Sequence, residues 1–304
     1  MAQSIAVILS KNRLSGSQEQ LLESRIALGL ADRPEIQLIV IPHLYDLAPD
    51  GPAIRRLRAV ADDMIVLSWL YPRASFWMLD ANGVKGRLGP TFSLSPGDAD
   101  EPPPPGPSQP PERTVWCFDL RSVDRPEPYV EQIQRIAELS VEPAAGADRR
   151  AAPPCEVVEA VRPRWYPVVD LGRCTHCLEC LNFCLFGVYG LGPANSILVE
   201  QPDACRAGCP ACSRICPQGA IMFPQHQDPA IAGDAGASRE GLKLDLSQLF
   251  TLASPAELAA AERELARKEQ QAAAQPSGPP PSPPAATDKD KLDRLVDETD
   301  KLEL

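Results

Sequence analysis

No apolar run in the sequence approaches the 18 or more residues that a membrane-spanning helix needs, and Met1 to Ser10 carries no basic segment ahead of its short apolar stretch. Neither a membrane span nor a secretory leader is therefore expected, and a cytoplasmic protein follows. Histidine is scarce, three in 304 residues, one inside a cysteine motif and two isolated. No nucleophile, base and orienter can be assembled from these, and no acidic pair stands out, so the chain is expected to catalyse no reaction of its own. Basic residues are outnumbered, 30 against 41 acidic, for a formal charge of −11, and they form no stripe. Nucleic acid phosphates would be repelled. An acidic surface suits encounter with a basic face on a partner protein instead. There is also no Walker motif and no Gly-x-Gly-x-x-Gly.

Proline and cysteine are abundant. The 34 prolines are about 11% of the chain against a usual share of roughly 5%, and they are clustered, which divides the chain. Residues 1–140 read as an α/β domain with a proline-rich insertion at 96–111. Residues 141–155 read as a linker, 156–226 as a cysteine-bearing domain, 227–275 as an extension with one helix, and 276–304 as a linker with a short helix or tail.

In the first part, Ile5–Leu9, Ile36–Ile41, Met64–Leu70 and Arg113–Leu120 are short apolar runs of the kind buried parallel strands show. Gln18–Leu30, Ala53–Ala61 and Pro128–Leu139 carry apolar residues at helical spacing, the first opened by a capping box of Ser17 and Gln20. Alternating strands and helices imply a small doubly wound, flavodoxin-like parallel sheet. Its first strand-to-helix turn lies where such folds bind phosphate. Lys11, Arg13, Ser15, Gly16 and Ser17 have suitable chemistry there and resemble a flavodoxin phosphate loop, for which FMN or a nucleotide would be the ligand. A plain helix cap explains the same residues and is preferred. Between Trp69 and Trp77 lies a dense aromatic patch, read as core and rim packing in preference to a flavin platform, and then a turn-rich loop, Asn82 to Gly86. Cys117 is expected in a strand as a buried thiol, and Cys155 in the linker.

Eight of the ten cysteines fall between residues 174 and 217. Cys174, Cys177, Cys180 and Cys184 are spaced C-x2-C-x2-C-x3-C, and Cys205, Cys209, Cys212 and Cys216 are spaced C-x3-C-x2-C-x3-C with Pro217 following. Three closely spaced thiolates can wrap one face of a cuboidal cluster but need a fourth from elsewhere, and two such runs can supply each other. Zinc would prefer two separated pairs of ligands. Disulfides would need an oxidising compartment, for which the sequence gives no sign.

From about residue 165 to about residue 224 the chain resembles the bacterial ferredoxins that hold two 4Fe-4S clusters, in which the fourth cysteine of each run ligates the other cluster. The resemblance implies a ferredoxin-like α+β domain, with Cys174, Cys177, Cys180 and Cys216 on one cluster and Cys205, Cys209, Cys212 and Cys184 on the other. Leu185 stands where the family has proline, and one extra residue lengthens the loop from Cys205 to Cys209. Within the domain, Val168–Leu171 and Ala220–Phe223 are expected as strands, Cys180–Cys184 as a short helix, and Val188–Leu191 with Ile197–Glu200 as a hairpin. Cys-Leu-Phe-Gly-Val-Tyr after the first run echoes Cys-Pro-Gln-Gly-Ala-Ile after the second. His176 lies between ligands of a complete thiolate set and is not expected to bind metal, and Trp165 and Tyr166 are expected to pack.

Further on, Ser254-Pro255-Ala256-Glu257 signals a helix start. The charged end, Asp288 to Leu304, carries Leu292, Leu295, Val296 and Leu302 on a possible stripe, either a docking helix or a frayed tail. Three functions follow. The chain is an electron carrier for a partner oxidoreductase, an enzyme whose N-terminal domain binds flavin or nucleotide fed by clusters, or a scaffold whose clusters hold its fold. The first is preferred.

Overall fold

The computed structural model describes residues 4–13, 16–90, 113–140 and 152–237, all within one compact unit that ends at residue 244. The proline-rich insertion, most of the 141–155 linker, the helix expected at Ser254 and the C-terminal stripe lie outside the described residues.

Six parallel strands make the central sheet: β1 (Ile5–Ser10), β2 (Ile36–Ile41), β3 (Met64–Ser68), β4 (Arg87–Leu88), β5 (Thr114–Asp119) and β6 (Cys155–Glu156), in the order β4-β5-β3-β1-β2-β6. Their apolar runs are buried on both faces because successive side chains point to opposite sides. Ile5, Val7 and Leu9 pack under α1 (Ser17–Ala31) and α4 (Glu127–Ser140), with Leu22, Ile26, Tyr129 and Ile133. Ala6, Ile8, Val66 and Cys117 face the other layer, built from α2 (Pro52–Arg58) and α3 (Pro72–Ala81). This is a doubly wound α/β arrangement, and Cys117 is a buried thiol whose pKa burial pushes up.

Three local expectations are corrected. Helix α1 begins at Ser17 with Gly16 as its N-cap, and the Gln20 N–H bonds the Gly16 carbonyl at 3.1 Å, so Ser17 is the first helical residue and does not hold the cap position that the capping box assigned to it. Pro72–Ala81, of which residues up to Trp77 read only as an aromatic patch in the sequence, is α3, with Pro72 at the first helical position where its missing N–H costs nothing. Cys155 is not in a linker. It opens β6, which pairs with β2 through Ile39 and Val40.

The cysteine-bearing part follows directly. Strand β7 (Val168–Val169) pairs antiparallel with β10 (Ile221–Met222), and β8 (Tyr189–Leu191) with β9 (Ile197–Val199). Short helices α5 (Glu179–Phe183) and α6 (Ala211–Ile215) lie between them, and α7 (Pro229–Ala232) closes the described chain. Tyr166, Val168 and Met222 join the same apolar cluster as α2 and α3. The two parts therefore share a core.

Candidate metal centre

The first cysteine loop leaves β7 at Asp170, whose carbonyl accepts the N–H groups of Arg173 at 3.2 Å and Cys174 at 2.9 Å. His176 and Leu178 then take left-handed backbone angles, φ 54° and 65°. Such angles strain residues that carry a Cβ and persist where surrounding structure enforces them. Here they coil the loop tightly enough for α5 to deliver Cys180. In the second run the extra residue is absorbed by a β-turn, closed by Cys209 N–H to Arg206 C=O at 3.1 Å. Gly208 stands third in that turn at φ 77°, the position for which type II turns require glycine. The lengthened loop is thus an ordered turn, and α6 follows it with Cys212.

Each short helix separates its third and fourth cysteines by one turn: Cys184 N–H bonds Cys180 C=O at 3.1 Å, and Cys216 N–H bonds Cys212 C=O at 3.2 Å. Cys216, at the far end of α6, lines a cavity with the first run, whereas Cys212 does not. Cys174, Cys177, Cys180 and Cys216 line one cavity with Val169, Ile197 and Ile221. Among the described residues no three His, Cys, Asp or Glu side chains converge as a single bound ion would require. As free thiols, Cys174, Cys180, Cys205 and Cys212 are held above the ordinary thiol value by burial. Burial pushes Cys180 to about 12, and Cys174, Cys216 and Cys177 add to the shift. Burial pushes Cys212 to about 12 and Cys205 to about 11, with Cys184 adding to both. Metal loading must therefore displace protons.

Donors are already aimed at sulfur. The Tyr189 hydroxyl donates to Cys212 Sγ at 3.0 Å, and Ala220 N–H to Cys216 Sγ at 3.3 Å. Soft thiolates in fours, apolar walls and hydrogen bonds to sulfur form a donor set that fits iron–sulfur clusters. His176 Nδ1 accepts the Ile197 N–H at 3.2 Å and so pins the β8–β9 hairpin over the first loop.

Two kinds of tether hold this module to the sheet domain, and neither was visible in the sequence. Arg73 and Asp170 form a buried ion pair at 2.6 Å, with side chains 4% and 1% exposed. Removing one partner of such a pair costs about 3–5 kcal/mol. The Tyr45 and Tyr166 rings stack at 4.3 Å. The Tyr45 hydroxyl bonds the Tyr166 carbonyl and accepts the Tyr166 N–H at 2.7 Å. Trp165 stacks on Phe223 at 5.2 Å and donates to Cys209 C=O at 3.1 Å. Trp165 and Tyr166 do pack as expected. Sequence offers no local signal for pairs such as Arg73 and Asp170, 97 residues apart.

At the carboxyl end of the sheet lies the turn weighed as a phosphate loop, only part of which falls among the described residues. Ser15 lies outside them. Lys11 pairs with Glu156, and Arg13 pairs with Asp46, so both cations are engaged. Gly16 leaves room for the Glu19 carboxylate, which a Cβ there would meet. A different cleft is present. Asn12, Glu19, His43, Trp69, Arg121, Gln225 and His226 line a cavity of about 290 Å³. The two isolated histidines thus line one cavity, each from a different part of the chain. Trp69 is fixed there by donating to Glu23 at 2.8 Å, and Phe76 and Trp77 of the same aromatic stretch are buried.

Comparison with known proteins gives one partial likeness. Over 66 residues, 21% of this chain, it is 39% identical to an uncharacterized ferredoxin of Methanocaldococcus jannaschii, covering 44% of that protein. The chain thus spans less than half the length of the curated relative it matches. No family model matches the chain. The chain therefore contains a ferredoxin-like region, and the likeness suggests iron–sulfur chemistry and electron transfer. Among the described residues no helix is long and apolar enough to cross a membrane.

Proposed function

We propose that this protein carries single electrons through two 4Fe-4S clusters to or from a partner oxidoreductase. The observation that supports this most is the pair of cysteine runs, each delivering its fourth thiol from the far end of a one-turn helix. When bound, the clusters would supply one-electron storage at closely spaced centres. Cys174, Cys177, Cys180 and Cys216 would hold one, and Cys205, Cys209, Cys212 and Cys184 the other. Val169, Ile197 and Ile221 shield the first from water, and Tyr189 bonds a ligand sulfur of the second. Both influences tune potential. Exposed Leu185, 92% accessible, with Phe183 and Phe186 flank Cys184 and offer an apolar surface for a partner. Free thiols and reducible clusters suit a reducing compartment, so the cytoplasm is the proposed location. Coulometric titration of anaerobic protein tests the reading: uptake of about two electrons per chain, returned to a soluble acceptor, is expected. Uptake of none would defeat it.

The cleft lined by His43 and His226 favours a second reading, in which the α/β domain binds a small molecule that the clusters reduce or oxidise. Its position at the carboxyl edge of a doubly wound sheet is where such folds bind ligands. A flavin phosphate is poorly served, since Lys11 and Arg13 are engaged by carboxylates. An organic cofactor that copurifies with the full chain would support this reading.

A further inference from the structure

Arg73, the second residue of α3, lies across the joint between the sheet domain and the cysteine module. Its Nε donates to Asp170 Oδ2 at 2.6 Å and its Nη2 to the Gly219 carbonyl at 2.8 Å. These two acceptors sit at the two ends of the first cysteine set. Asp170, 0% exposed, is where the first loop departs, and its carbonyl accepts the Cys174 N–H at 2.9 Å. Gly219 follows Cys216 and donates to its carbonyl at 3.2 Å, and the next N–H, of Ala220, points at Cys216 Sγ at 3.3 Å. One side chain of the α/β domain therefore holds the backbone that presents both the first and the last thiol of the set.

The other set is held differently. Its contacts with the sheet domain come from the tyrosine stack and from Arg164, which donates to the Leu47 carbonyl at 2.8 Å and whose carboxylate partner, Asp203 of the module, is 76% exposed. Charge there is screened by solvent, whereas Arg73 and Asp170 act through a poorly screening interior. Arg173 also approaches Asp170, at 3.7 Å, from a side chain 33% exposed.

We propose that Arg73 and Asp170 are a positioning and charge-setting pair for the first cysteine set, through which the α/β domain fixes how readily the centre held there accepts an electron. This rests on the electron-transfer reading above. The step is a one-electron reduction by the partner or an added reductant, with no bond made or broken. It adds one negative charge, which Arg73 favours and Asp170 opposes. In the native pair the two influences largely cancel.

The test is an EPR-monitored redox titration of the full chain, purified anaerobically with its clusters. Arg73→Met removes the buried cation from Asp170, leaving the partly exposed Arg173 at 3.7 Å, and is expected to lower one of the two midpoint potentials. Asp170→Asn removes the carboxylate beside Arg73 and is expected to raise the same one. Each is expected to change the reduced-to-oxidised ratio at fixed potential about tenfold, which is about 59 mV for a one-electron couple. Loosened packing would move both variants the same way. Opposite shifts confined to one potential therefore support the proposal. Shifts of one sign, shifts of both potentials, or none overturn it. If Arg73→Met sheds iron, Arg73→Lys and Asp170→Asn carry the test: the lysine variant should titrate as the native protein, and an Asp170→Asn potential at or below the native value overturns the proposal. Native protein lacking reducible clusters would instead defeat the electron-transfer reading itself, so the two failures are distinguishable.

Discussion

The two cysteine sets have nearly the same sequence pattern and reach it by different physics. The first loop keeps the shorter spacing and bends through two left-handed residues with side chains, His176 and Leu178. The second adds a residue and bends through Gly208, which takes a positive φ without strain. The first is rooted in a buried ion pair, the second in stacked aromatic rings and a tryptophan N–H. The difference teaches that a repeated ligand motif fixes what is bound, while the surroundings decide how each copy responds. Two centres of unequal response can pass an electron in a preferred direction, and two identical centres cannot.

The largest expected effect tests whether the sets exchange their fourth cysteines. Cys216→Ser should abolish the cluster of the Cys174 loop, and Cys184→Ser that of the Cys205 loop, each taking iron from about eight to about four atoms per chain. If the same cluster signal disappears in both variants, the exchange is wrong. A smaller effect separates the aromatic side from the ionic one by pH. His43 is 4% exposed, and burial, aided by Arg13, lowers its pKa to about 4. As pH falls from about 6.5 to about 4, the unfolded chain takes up a proton that the folded chain refuses, so roughly 3 kcal/mol of stability is lost. Denaturant unfolding of native protein should show this loss across that window, and His43→Gln should lack that part of the slope.

Gly208→Ala meets no neighbour within 4 Å, so its cost is the left-handed backbone alone, about 1 kcal/mol by denaturant unfolding. The Cys174 loop should keep its iron. The smallest effect is expected of Leu185→Pro. Cys184 has φ −74° and ψ 112°, close to the −64° and 114° of Cys216 before Pro217, and residues before proline favour that region. Stability should therefore change by less than about 1 kcal/mol. A larger loss would mean that the two halves of the repeat are not equivalent at this position.

What could be read from sequence followed the range of the interactions concerned. Strands β1, β2, β3 and β5 are short, largely apolar runs, and α1 and α4 repeat their apolar residues at helical spacing. Both signals are local. Helix α3 was hidden because Phe76, Trp77 and Met78 are all buried, leaving no polar face to reveal a period. Strand β4 is two residues long, too short to alternate. The cysteine loops were legible because spacing and ligand chemistry coincide. Arg73 with Asp170, Tyr45 with Tyr166, and His43 with His226 are brought to one place only by tertiary packing, and no window of sequence contains any of these pairs.

The central claim is tested most directly by measuring iron and acid-labile sulfide per chain on anaerobically purified protein, with EPR after dithionite reduction. About eight of each, with the coupled spectrum of two reduced cubane clusters, is the predicted result. Iron-free protein that carries zinc after strictly anaerobic preparation would contradict it.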